Sequence, residues 1–209
     1  QKRALMQSLL TGTRRFPGFE DHPWREVRLG DVAEVAMGSS PKSEAYNSDG
    51  IGLPLIQGNA DIKDGRSSPR SFTSEITQTC KPGDILMSVR APVGTIAVSD
   101  HEACVGRGAA VIGPKAGTDW NWLFQQMKFL EDKWARVSQG STFDAVNGKE
   151  IRDMPVLLPR SRDEQRRIGD MLRGCDVEDA SLSAQLNHLR TEKKSLMQQL
   201  LTGKRRVVV

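Results

Sequence analysis

The end of this chain repeats its beginning. Lys193 to Arg206 reads KKSLMQQLLTGKRR, and Lys2 to Arg15 reads KRALMQSLLTGTRR. Ten of these 14 positions are identical at one offset of 191 residues, among them Leu5/Leu196, Leu9/Leu200, Gly12/Gly203 and Arg15/Arg206. That offset is far longer than a solenoid unit and suits a whole domain. The chain is therefore expected to be one period of a longer two-period protein, entered inside the first copy of a repeated helix. Gln1 in place of an initiator Met fits a trimmed start.

The second copy closes a long helix. Ser161 followed by Glu164 has capping-box spacing after Pro159. Ile168, Leu172, Cys175, Leu182, Leu186, Leu189, Leu196 and Leu200 then fall on alternating heptad a and d positions, with Asp179 and Lys193 as polar exceptions. Gly203 is a C-terminal stop, and Lys204, Arg205 and Arg206 suit the carbonyl end of the dipole. The expected helix is a rod of roughly 60 Å at 1.5 Å per residue. Such a helix must lay its leucine seam against another helix, so the seam reads as an assembly device.

Composition sets the outer limits. With 209 residues, 37% hydrophobic and 27% charged, the chain can bury one real core besides the helix. A formal charge of +4 permits a polyanionic partner without requiring one. Cys80, Cys104 and Cys175 lie far apart, which suggests neither a disulfide framework nor a zinc site and favours a reducing compartment. No apolar run approaches a membrane span and no signal peptide is visible, so the expected location is the cytoplasm, with no membrane partner.

Read in order, residues 1–15 are the end of the repeated helix, and 16–23 a turn-rich, charged linker. Residues 24–160 form a compact domain, 161–203 the long helix, and 204–209 a basic and apolar tail. The fold class is α+β: a small mixed or mainly antiparallel sheet with few helices, followed by a coiled-coil-forming helix. Trp24 to Gly38 offers a short strand, then a short helix or second strand. Gly38 to Gly52 reads as a polar loop and Asp61 to Thr79 as irregular. Strands are expected at Leu53–Gln57, Ile85–Val89, Thr95–Val98 and Cys104–Ile112, the last interrupted at Gly106 and Gly108. One helix is expected to carry Trp120, Leu123, Phe124, Met127, Leu130, Trp134 and Val137 on its core face, and Ile151–Leu158 to return as a strand.

Catalytic signatures are missing from the sequence. There is no phosphate loop, HExxH or GxSxG elbow, and the Gly106-Arg107-Gly108 run lacks the third glycine of a dinucleotide fingerprint. Glu192-Lys193-Lys194 matches part of a nuclease site but stands on the coiled-coil helix without a strand-borne aspartate. No catalytic or metal-ligating residue is expected. What remains is a set of glycine- and serine-rich loops carrying cations and amides. They hold Ser39, Ser40 and Lys42; Gln57 and Asn59; Arg90; Arg107; and Gln139, Ser141 and Thr142. Arg can pair bidentately with guanine and Gln or Asn with adenine, while Lys, Ser and backbone amides hold phosphates. Singly each loop reads as solvated surface; together they suggest a DNA-reading face.

Several stretches also resemble a known family. WREVRLGDVAEVAMGSSP (24–41), LPLIQG (53–58), KPGDILMSVRAPVGTIAV (81–98), QGSTF (139–143) and MPVLLPRSRDEQRRI (154–168) are similar to the specificity subunits of Type I restriction–modification enzymes. The resemblance spans nearly the whole chain. It implies two target-recognition domains held apart by paired antiparallel helices, each reading half of a split DNA site. This chain would then be the C-terminal half of such a subunit, or a natural half-subunit that forms a homodimer through its long helix. The resemblance places DNA contacts on the ten loop residues named above, and helix pairing on Ile168, Leu172, Leu182, Leu186, Leu189, Leu196 and Leu200. It implies double-stranded DNA, methyltransferase subunits and a motor-nuclease subunit as partners. No cofactor is expected on this chain, with S-adenosylmethionine, ATP and Mg on the partner subunits. The alternative reading is a non-catalytic interaction adaptor that uses the coiled-coil helix without specific DNA readout.

Overall fold

In this computed structural model the described residues are 2–139 and 145–202, without the side chains of residues 135 and 137–139. The chain opens with α1 (Lys2–Leu10), β1 (Arg25–Arg28), the single turn α2 (Leu29–Val32) and β2 (Ala33–Met37). Short strands follow: β3 (Tyr46–Asn47), β4 (Leu53–Ile56), β5 (Ile62–Lys63), β6 (Arg66–Ser67), β7 (Ser71–Thr73) and β8 (Thr79–Cys80). Next come β9 (Ile85–Ser88), β10 (Ile96–Val98), β11 (Ala103–Val105) and β12 (Ala109–Pro114). The remainder is α3 (Trp120–Phe129), α4 (Glu131–Gln139), α5 (Gly148–Asp153), β13 (Pro155–Leu158) and α6 (Arg162–Leu201). Two compact units result, residues 1–170 and 171–209, with the division inside α6.

Two sheets face each other in the first unit. One has the order β2-β12-β9-β10-β6-β5 and the other β3-β7-β4-β11-β8. Each is antiparallel except at one pair, β10 with β6 and β4 with β11. Strand alternation decides what lies between them. Leu86, Ala97, Ala109 and Val111 of the first sheet meet Ile56, Cys80, Ala103 and Val105 of the second in one buried cluster. The opposite face of the first sheet carries Ile85, Met87, Ile96 and Ile112, all buried, and α3 packs on β12. Burying each such side chain contributes about 2 kcal/mol. A separate ribbon pairs β1 with β13, Arg25 opposite Leu158.

Four sequence expectations need correction. The stretch 61–79 is not irregular: it holds β5, β6, β7 and the start of β8. Strands of two or three residues are too short for alternation to show, although Asp64-Gly65, with φ of 50° and 73°, is a two-residue hairpin turn joining β5 to β6. Ile151 does not begin a strand. Asn147 Oδ1 accepts the Lys149 and Glu150 amides, the Glu150 carboxylate accepts the Asn147 amide at 2.8 Å, and this capping box starts α5. The expected single helix after Trp120 is two, broken at Leu130; the Val137 side chain lies outside the described residues. At the break, Glu131 takes the Ile96 amide and the Lys128 ammonium, tying α4 to the start of β10. The polar loop 38–52 contains a 3-10 turn at Ser43–Ala45 and β3.

The stretch 16–23, expected to be a linker, is wound around the Arg15 guanidinium. Arg15 donates to the carbonyls of Phe19, Glu20 and His22, and to both oxygens of the fully buried Glu164. Trp24 Nε1 donates to the same carboxylate at 3.0 Å. Ser161 Oγ accepts the Asp163 amide at 3.2 Å, so the N-cap of α6 forms as expected. Glu164, however, turns inward to Arg15 and Trp24 rather than back to Ser161. Upstream, Met6, Leu9 and Leu10 of α1 are buried, and α1 packs against α3.

Candidate nucleic-acid interface

Four loops leave the sheets at one end, and a backbone ladder fixes them to each other. Residues 106–108 carry the chain from β11 in one sheet to β12 in the other. Gly106 donates its amide to the Ile56 carbonyl, and Val89 donates to the Gly108 carbonyl. Gly38 donates to the Ala109 carbonyl and Ser39 to the Val105 carbonyl. The Arg107 amide donates to Ser40 Oγ at 3.3 Å. These bonds lie close because glycines permit it. A Cβ on Gly38 would sit 2.1 Å from the Gly106 carbonyl oxygen, and one on Gly108 would sit 2.1 Å from that of Gln57.

Two open clefts result, side by side. The first, of about 490 Å³, is lined by Ser40, Pro41, Ser43, Tyr46, Gln57, Arg90, Arg107 and Gly108. The second, of about 360 Å³, is lined by Gln57, Gly58, Asn59, Ala60, Arg70, Arg90, Ala91, Pro92 and Gly108. Gln57, Arg90 and Gly108 belong to both, so the Gln57 and Arg90 side chains form the ridge between. Among the described residues neither lining includes a carboxylate, while three arginines project there. Amide, hydroxyl and guanidinium groups on a glycine-thinned backbone can donate to phosphates and to acceptor edges of bases; only the Gln and Asn amides and the hydroxyls can also accept.

Of the ten loop residues singled out in the sequence, Ser40, Gln57, Asn59, Arg90 and Arg107 line the clefts. Ser39 and Lys42 are exposed beside them but are not among the lining residues; Ser39 offers its carbonyl to the Thr77 hydroxyl, and the Lys42 amide donates to Glu75. The Gln139 side chain, Ser141 and Thr142 lie outside the described residues. The chain is described again at Ala145, which forms a β-bridge with Arg90. The sequence reading missed Ser43, Tyr46 and Arg70. Tyr46 sat in a stretch read as loop, and its hydroxyl donates to the Pro41 carbonyl. Arg70 depended on a partner nine positions away.

Within α6, Ile168 and Leu172 are buried, so the open part of the leucine seam begins beyond them. Leu182, Leu186, Leu189 and Leu200 are 55, 49, 59 and 44% exposed, and Leu196 is half-buried. Val177, Met197 and Leu201 are exposed too. Together these form a run of exposed apolar side chains along the helix. Among the described residues, no group of three His, Cys, Asp or Glu is placed to hold a metal ion, and no helix is long and apolar enough to cross a membrane.

Residues 21–189 match the model of the family described as Type I restriction modification DNA specificity domain. The MjaX type I restriction enzyme specificity subunit of Methanocaldococcus jannaschii is 32% identical over 187 residues, which is 88% of this chain and 44% of that one. The MjaIX specificity subunit of the same organism is 26% identical over 160 residues, 71% of this chain and 37% of that one. The chain thus spans less than half the length of these curated relatives. Among solved structures, the HsdS subunit from Thermoanaerobacter tengcongensis superposes with a TM-score of 0.75 at 36% identity, over 96% of this chain and 50% of that one. The S subunit from M. genitalium, at 15% identity, shares the fold with a TM-score of 0.70 over 95% of this chain and 52% of that one.

Proposed function

Because this chain belongs to the Type I restriction–modification DNA specificity domain family, we propose that it is a DNA-sequence-recognition half of a specificity subunit. It performs no catalysis itself. In this reading the two-cleft face takes double-stranded DNA and reads one half of a bipartite target. The ridge residues Gln57 and Arg90, with Arg107, Asn59 and Ser40, meet base edges, while Ser39, Lys42 and backbone amides meet phosphates. Gln139, Ser141 and Thr142 belong to the same proposed set. Residues 24–160 are the recognition domain, and residues 161–203 are the spacer helix.

One observation carries the proposal: two adjacent open clefts share an amide and a guanidinium, and no carboxylate lines either cleft among the described residues. Protein–DNA interfaces are much more positively charged than protein–protein ones, and three arginines without a lining carboxylate fit the former. The exposed leucines of α6 take a second helix, from the other half of a subunit or a second copy, and the same helix docks methyltransferase subunits. S-adenosylmethionine, ATP and Mg then belong to the methyltransferase and motor-nuclease partners, and the complex works in the cytoplasm.

Duplex binding against salt tests this. A DNA reader loses affinity steeply between about 50 and 200 mM salt, with a slope of about −0.9 per phosphate contact. Absence of salt-dependent binding, by the chain alone and with a methyltransferase subunit, would turn the assignment to an interaction adaptor working through α6.

A further inference from the structure

Beneath the second cleft lies a carboxylate that the DNA-reading proposal does not use. Asp61 is 1% exposed, and both its oxygens are engaged. Oδ2 accepts the Gln57 amide at 2.8 Å, and Oδ1 accepts Arg70 Nε at 2.8 Å. The Asp61 backbone is held as well, its amide donating to the Gly58 carbonyl at 3.0 Å and its carbonyl accepting the Ser68 amide at 2.7 Å. One fixed group therefore sets both the backbone under Gln57 and the guanidinium of Arg70. The Arg70 side chain is nonetheless 67% exposed, and it lines the cleft beside Asn59 and Arg90.

We infer that Arg70 reads a guanine in the second cleft, with Asp61 as its positioning residue; the inference rests on the DNA-reading proposal above. Three physical points favour a base over a phosphate. Engagement of Nε leaves the Nη1/Nη2 edge to present two parallel donors, the pattern that guanine O6 and N7 accept. Anchoring at Nε removes much of the rotamer freedom a free surface arginine would lose on binding. The carboxylate also offsets the arginine's charge. A group meant to neutralise phosphate gains nothing from that, whereas directional hydrogen bonding survives it.

The test is selection from a randomised duplex pool with the full chain, wild type and three variants, together with salt slopes on the selected duplex. Arg70→Ala is expected to retain the wild-type motif except at one G·C pair, where preference falls roughly tenfold or more, with the salt slope unchanged. Arg70→Lys loses the same position, because an ammonium has no fork. Asp61→Asn weakens preference at that position while more distant positions persist; a full preference there would overturn the positioning role. An intact motif in Arg70→Ala overturns the base contact. With affinity lowered uniformly and the salt slope reduced by about one, that result would make Arg70 a phosphate clamp. A wild-type chain that enriches no motif, alone or with a methyltransferase subunit, overturns the DNA-reading proposal itself, a result distinct from either.

Discussion

Arg15 and Glu164, 149 positions apart in sequence, meet in a two-point ion pair, Nε to Oε1 at 3.0 Å and Nη2 to Oε2 at 2.9 Å. The arginine belongs to the repeated segment and the carboxylate to the first turn of the long helix. Glu164 is wholly buried, so it depends on Arg15 and the Trp24 indole for compensation. Arg15→Ala should therefore destabilise the first unit by about 3 kcal/mol, because it strands a buried charge. Arg15→Ala with Glu164→Leu should recover much of that loss. Urea unfolding followed by tryptophan fluorescence reads both.

The glycine crossings make a sharp contrast. Gly108→Ala puts a methyl into the Gln57 carbonyl and should cost about 3 kcal/mol, the upper range of overpacking. Gly117→Ala has open space around it and faces only a backbone φ of 87°, costing about 1 kcal/mol. Thermal midpoints of the two variants should rank in that order.

Arg90 borders both clefts and Arg107 only the first. On the DNA-reading proposal, Arg90→Ala should reduce duplex affinity by about tenfold and Arg107→Ala by less, scaled to roughly 1–3 kcal/mol for a good bidentate contact. Fluorescence anisotropy at fixed salt gives the order.

Leu186→Glu with Leu189→Glu alters exposed positions of the second unit. The melt of the first unit should stay unchanged while association through the helix is lost. Light scattering should find wild-type chains heavier than the 23.1 kDa of one copy, and the double variant at that mass.

The three thiols should separate by environment. Burial pushes the Cys80 thiol up, and Cys104 is buried, whereas Cys175 is half-exposed. At pH 8 a maleimide should take up one fast equivalent, at Cys175, with the other two reacting only after denaturation. Rapid labelling of Cys80 in the native chain would contradict its placement between the sheets.

The sequence made some of this legible and hid the rest for identifiable reasons. The long helix announced itself through a heptad pattern sustained from Ile168 to Leu200, and the loops at Gln57, Arg90 and Arg107 through polar side chains set among glycines, prolines and strand ends. Those signals are local. Arg70 was invisible because nothing near it in sequence marks it; its meaning comes from Asp61 folding beneath Gln57. The strands β5 to β8 failed the alternation test by being too short, although Asp64-Gly65 carried a hairpin signal. The helix α5 was lost to an apolar reading of Ile151, even though Asn147 and Glu150 stood at capping distance. Glu164 misled in the opposite way: its spacing from Ser161 was right for a capping box, and a tertiary ion pair claimed it instead.

Gly38 and Gly108 hold the cleft loops together through their backbone atoms. Apart from the Ser40 hydroxyl and the Asp61 carboxylate, which also hold loop amides, the shape of the face is thereby uncoupled from the side chains that project from it. On the DNA-reading proposal, residues 57, 59, 90 and 107 can be rewritten without asking the framework to find a new conformation, so a change of target would require only a few substitutions at the rim. The same uncoupling makes the face a practical starting point for retargeting by a focused library, with the glycines left untouched.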